Sequence, residues 1–155
     1  MLGKPNCGWS HIKIGNTEFG ASYLTDVPND LLTNFINLYD FKCDTVATRF
    51  DCEGYEYYLI SEEINSVVFE MKYDKVIVVE ERINTESLVV ELIKDIESNF
   101  DDWIDWLPTS KNDERYKQEH LINENKLKEN LNKLKKVMYE YNVEFNRIRS
   151  NNNKA

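Results

Sequence analysis

His11 and His120 are the only histidines in the chain, and with Cys7, Cys43 and Cys52 they are its nitrogen and sulfur groups suited to nucleophilic or metal chemistry. The cysteines lack the paired spacing of a zinc knuckle, and neither histidine's spacing resembles a zinc helix motif. His11 falls in an alternating, strand-like stretch with no acid or nucleophile placed near it by sequence. His120 falls in a polar helical region and reads as solvated. The glycines Gly3, Gly8, Gly15, Gly20 and Gly54 are scattered at turn positions, so no glycine-rich phosphate cradle forms, and no G-x-S-x-G elbow is present. Carboxylate pairs abound, as at Glu62-Glu63, Glu80-Glu81 and Asp101-Asp102. Acid–base work by such a pair needs a cleft that tunes one of the two, and nothing in the sequence marks one. The expectation is a protein without catalytic residues, metal or cofactor, hence not an enzyme.

Charge says more about partners. From Met1 to Pro108 there are 8 Lys or Arg against 21 Asp or Glu, a balance of −13, whereas from Thr109 to Ala155 there are 11 against 7, a balance of +4. A surface this acidic repels nucleic acid and anionic lipid and accelerates encounter with a basic protein. A merely soluble acidic protein would share that composition. The three cysteines are odd in number and lack a disulfide framework's spacing, no apolar run reaches membrane-spanning length, and Lys4, Pro5 and Asn6 interrupt the segment where a signal peptide would be apolar. These features predict reduced thiols and a cytoplasmic location.

The elements follow from periodicity. Trp9 to Ile14 alternates as a strand, Gly15-Asn16 offers a hairpin turn, and Phe19 to Leu24 returns with Phe19, Ala21 and Tyr23 on one face. Asp26 and Pro28 begin a helix whose Leu31, Leu32, Phe35, Ile36 and Tyr39 share a face, and which ends near Asp40. Thr45 to Cys52, Tyr55 to Ile60, Val67 to Met71 and Val76 to Val79 make a four-strand meander, the last read as a central strand covered on both sides because Val76, Ile77, Val78 and Val79 are consecutive and β-branched. Asn84 or Thr85 caps a helix carrying Leu88, Val89, Leu92, Ile93, Ile96, Phe100, Trp103 and Leu107 on one stripe and stopping at Pro108. The fold expected is α+β: a mainly antiparallel sheet of about six strands, a helix after the second, and two C-terminal helices, the last one long. Residues 1–108 would form the acidic domain. Residues 109–155 would supply a linker, Thr109 to Asp113, then that long helix with a frayed end.

Three clusters suit recognition rather than catalysis. Asp101, Asp102, Asp105 and Trp106 alternate acids with aromatics at a helix end; Trp103 is read as core, while Trp106 and the aspartates face outward unless both tryptophans are buried. Asp51, Glu53, Tyr55, Glu56 and Tyr57 crowd a hairpin tip that is either a binding surface or simply solvated. Leu127, Leu131, Leu134, Met138, Tyr141, Phe145 and Ile148 form an a/d seam over three heptads, which either folds back on the acidic domain, along the Thr85 to Leu107 helix for instance, or pairs two chains. Monomer and homodimer both remain open.

WSHIKIGNTEFGASYLTDVPNDLL near the N-terminus, and YEYYLI together with NFDDWIDWL, resemble the pattern of small bacterial immunity proteins that neutralise the C-terminal domains of polymorphic or contact-dependent growth inhibition toxins. The resemblance spans Trp9 to about Leu107 and leaves out the basic tail. It implies a cytoplasmic inhibitor that binds a cognate toxin domain and blocks its active site or substrate surface. Many such toxins are nucleases with basic clefts, which agrees with the −13 balance. The resemblance carries over no individual contact residue. The alternative is a non-enzymatic dimeric adaptor or structural module joined through the C-terminal helix.

Overall fold

A computed structural model describes residues 1–73, 75–106 and 114–152, with the backbone alone at residues 81, 114 and 145–152. Six strands and four helices follow in the order β1 (Trp9–Ile14), β2 (Thr17–Ser22), α1 (Val27–Tyr39), β3 (Thr45–Asp51), β4 (Glu56–Glu62), β5 (Asn65–Lys72), β6 (Lys75–Asn84), α2 (Thr85–Ser98), α3 (Phe100–Ile104) and α4 (Glu114–Asn152). The fold is α+β and its named strand pairings are all antiparallel. The strands form two sheets, the hairpin β1-β2 and the meander β3-β4-β5-β6. Gly15, at φ +60°, turns the hairpin, and the neighbouring Asn16 N–H donates to Glu80 Oε2 at 2.9 Å, tying hairpin to meander.

One face of the meander builds the core. Val46 and Phe50 of β3, Leu59 of β4 and Val68 of β5 are buried, and Phe19 of β2 stacks on Tyr57 at 4.1 Å and meets Phe50 edge-on at 5.2 Å. Leu31, Leu32, Phe35, Ile36 and Tyr39 of α1 join that core, as the spacing predicts. Leu88, Val89, Leu92 and Ile96 of α2 join it too, and Asn84 caps this helix by accepting from the Ser87 N–H at 2.8 Å. A buried hydroxyl chain fixes where α2 starts. Ser66 Oγ bonds Ser61 Oγ at 2.8 Å and Thr85 Oγ1 at 2.9 Å, and Thr85 Oγ1 donates to the Glu62 carbonyl at 2.8 Å.

Two expectations change. The apolar run Val76 to Val78 lies on an edge strand, not a central one: among the described residues β6 pairs only with β5, and Val76 is 64%, Ile77 54% and Val78 44% exposed. A β-branched run reports β preference, but the number of neighbours comes from chain order, and the last strand of a meander has one. The helix expected from Thr85 to Leu107 breaks at Asn99 (φ −127°), whose N–H and side-chain amide return to the Asp95 carbonyl at 3.2 and 3.1 Å. The proposed linker Thr109 to Asp113, with Leu107 and Pro108, lies outside the described residues.

The long helix α4 packs within its own chain, chiefly on α1 and secondarily on α3. Leu127, Leu131, Leu134 and Met138 are buried in the same core as the strands; the Phe145 and Ile148 side chains lie outside the described residues. Polar contacts set its position: Lys126 Nζ to Asp26 at 2.6 Å, Asn130 Nδ2 to Asn29 Oδ1 at 2.9 Å, and Lys135 to Glu97 on α2. Because Leu134 is fully buried, Leu134→Ala should cost about 2–5 kcal/mol of unfolding free energy by denaturant titration. A seam used between chains would instead give a loss that depends on protein concentration.

Candidate partner-binding surfaces

The Asp101–Trp106 cluster is bound up with the fold. Trp106 is 4% exposed and packs on Trp103 at 5.2 Å, so it is core and not an outward anchor. It follows directly on Asp105, the C-cap of α3. Asp105 accepts from Tyr116 Oη at 2.7 Å and lies 2.7 Å from His120 Nδ1, so it ties α3 to α4. His120, read as solvated, is part of that tie. Asp102 pairs with Lys4 at 3.1 Å, which leaves Asp101 exposed beside a shallow surface lined by Pro5, Cys7 and Trp106.

The hairpin tip between β3 and β4 is partly neutralised as well. Arg49 Nε donates to Glu56 at 2.8 Å and its terminal nitrogen reaches Asp51 at 2.9 Å, which holds the guanidinium pKa above its ordinary value. Tyr57 is turned inward onto Phe19, and Tyr55 rests edge-on against Tyr57 at 5.9 Å. Of this group Glu53 remains exposed, at φ +51°.

A third surface, which periodicity did not single out, combines open apolar side chains with uncompensated acids. Phe41 is 71% exposed and Ile64 65% exposed. With Leu38, Cys43, Asp44, Thr45, Glu62, Glu63 and Asn65 they line a depression of about 370 Å³. Asp44 and Glu62 have no cation within salt-bridge distance among the described residues, whereas Asp40, the residue before Phe41, pairs with Lys42 at 2.6 Å.

Two local structures put Phe41 and Ile64 there. Helix α1 ends in a left-handed cap, with the Phe41 N–H bonded to the Leu38 carbonyl at 3.2 Å and the Lys42 N–H to the Asn37 carbonyl at 3.0 Å. In this arrangement the left-handed residue is commonly glycine. Phenylalanine stands there at φ +53°, a conformation that costs a residue bearing Cβ about 1–2 kcal/mol. Ile64, in the β4–β5 turn, is fixed by its carbonyl accepting from the Thr85 N–H at 3.0 Å. The sequence signal was available: a bulky residue follows the helix end at Tyr39-Asp40 where a glycine would serve better.

Carboxylates make this end of the molecule electronegative. Burial, with the Glu63 hydrogen bond and the charge of Glu86, pushes the Tyr141 phenol up to about 12; burial, followed by Glu86, Tyr141 and Glu63, pushes Tyr39 higher still. Both phenols therefore hold their protons. Elsewhere, burial followed by the charge of Asp51 pushes the Cys52 thiol up to about 12, which leaves it a poor nucleophile. Among the described residues no group of three or more His, Cys, Asp or Glu is placed to hold a metal ion, and no helix is long and apolar enough to cross a membrane. Comparison with protein-family models, with curated proteins and with solved structures finds no match.

A spectrophotometric alkaline titration checks the electronegative corner: Glu63→Gln should lower the highest phenol transitions relative to the unsubstituted chain. The folded state holds the Tyr141 proton above the ordinary phenol value of 10.0, so this group's contribution to stability is present below that value and declines as pH rises from there toward about 12.

Proposed function

We propose that the protein is an immunity-type inhibitor, acting in the cytoplasm, that binds a basic toxin domain and obstructs its active site or substrate surface. The Phe41–Ile64 depression carries the proposal. It sets two exposed apolar side chains among acids, Asp44 and Glu62, that have no cation within salt-bridge distance among the described residues. A partner presenting lysine or arginine beside an apolar contact would find both halves of an interface there, the acids steering encounter and the apolar pair anchoring the complex. The left-handed phenylalanine adds to the case, because local strain retained at an exposed residue is common where that residue serves recognition. Asp101 and Glu53, both exposed, are secondary candidates.

The dimeric adaptor joined through the Leu127–Ile148 seam is less well supported, since Leu127, Leu131, Leu134 and Met138 are spent on the chain's own core.

The test separates binding from folding at one position. Phe41→Gly supplies the residue that the helix cap favours and should leave thermal stability unchanged or slightly raised. In a pull-down against the toxin-like domain encoded beside this chain, it should weaken capture at least tenfold. Glu62→Lys should also weaken capture and flatten its salt dependence. Full capture by both variants would refute the assigned surface, and no capture by the unsubstituted chain would refute the proposal itself.

A further inference from the structure

Resting on the reading of the Phe41–Ile64 depression as the contact surface for a basic protein, we infer that the group it admits is the guanidinium of a partner's arginine, laid on the Phe41 ring and donating to the Asp44 and Glu62 carboxylates. Separate elements bring these residues together. In the β3–β4 pairing Thr45 is the cross-strand partner of Glu62, so Asp44, the residue before Thr45, stands with Glu62 at one end of the meander. Phe41 reaches that end from the cap of α1 and Ile64 from the β4–β5 turn, and all four residues line the same depression. Its volume of about 370 Å³ lies at the lower end of the roughly 300–1,000 Å³ of small-ligand sites, which is room for a single side chain.

Charge and shape select the occupant. Glu63 accepts from the Tyr141 hydroxyl, and Lys42 pairs with Asp40 at 2.6 Å, so one acid of the depression and the cation closest to it in sequence are already committed. Asp44 and Glu62 are exposed and have no cation within salt-bridge distance among the described residues. The preference for arginine over lysine comes from Phe41. Tyr141 lies against its ring with centroids 5.9 Å apart, yet Phe41 stays 71% exposed and open to a second contact. A guanidinium is flat, weakly hydrated and carries five N–H donors in a fixed fork, so it stacks on an aromatic face while donating to carboxylates. An ammonium is compact and strongly hydrated, and among apolar side chains it gives up water that the carboxylates only partly replace. One planar cation therefore meets the aromatic and the acidic components of the depression together.

Titration of the full, isotopically labelled chain with Nα-acetyl-arginine methylamide and, in parallel, Nα-acetyl-lysine methylamide tests the inference, read at the amide resonances of residues 41–45 and 62–65. The arginine probe should perturb these resonances and bind at least about threefold more tightly than the lysine probe. Glu62→Gln should weaken both probes. Phe41→Leu, which keeps an apolar side chain in the left-handed position, should bring the arginine probe down to the lysine value. No perturbation by the arginine probe, equal affinities of the unsubstituted chain for the two probes, or an undiminished preference in Phe41→Leu would overturn the inference. Neither probe requires a toxin domain, so the two readings fail separately. Capture of a basic toxin domain by a chain without arginine preference would overturn the guanidinium assignment alone, and arginine preference without capture would overturn the inhibitor reading alone.

Discussion

Much of this molecule depends on the apolar seam of α4 closing against α1. Leu127, Leu131, Leu134 and Met138 complete a core that the sheets begin, and the acidic body receives the basic helix through Lys126–Asp26 and Lys135–Glu97. Those exposed ion pairs orient more than they stabilise. The stabilising term is the burial of a whole helix face, with fully buried Leu134 near its middle. The same closure sets Tyr141 edge-on to Tyr39 at 5.1 Å and within 5.9 Å of Phe41, which forms one wall of the acid-rimmed corner. A helix that first reads as an appendage thus shapes the candidate binding surface.

The candidate surface is tied to the fold at the end of α1. A helix C-terminus leaves carbonyls to satisfy, and a left-handed residue satisfies them at little cost when it is glycine. Phe41 makes the same hydrogen bonds at higher cost and presents an aromatic ring to solvent. The hydroxyl chain Ser61–Ser66–Thr85 fixes the opposite wall, holding the turn that carries Ile64 against the start of α2. The surface is therefore preorganised by hydrogen bonds in two separate elements, which reduces the ordering cost of binding.

The sequence disclosed what depends on local periodicity. The 3.6-residue spacing of Leu31, Leu32, Phe35, Ile36 and Tyr39 identified the face that α1 buries, Asn84 marked the start of α2, and the α+β order followed from the succession of patterns. What depends on neighbours was hidden. Val76 to Val79 carries the composition of a covered strand, yet chain order makes β6 an edge. Trp106 sits among acids in sequence, but its ring is buried against Trp103. The seam of α4 was legible as a seam, while its docking against α1 rather than along α2 depended on the tertiary arrangement. The candidate surface was the least visible of all, since it joins residues 38–45 to residues 62–65 across the chain, and a left-handed phenylalanine has no periodic signature.

Hydrogen–deuterium exchange on the full chain, with and without a basic toxin domain that it captures, addresses the central claim most directly. The account predicts that complex formation slows exchange at residues 38–45 and 62–65 and leaves the outward face of α4 unchanged. Protection concentrated at the hairpin tip around Glu53 or beside Asp101, with the Phe41–Ile64 depression unprotected, would contradict it.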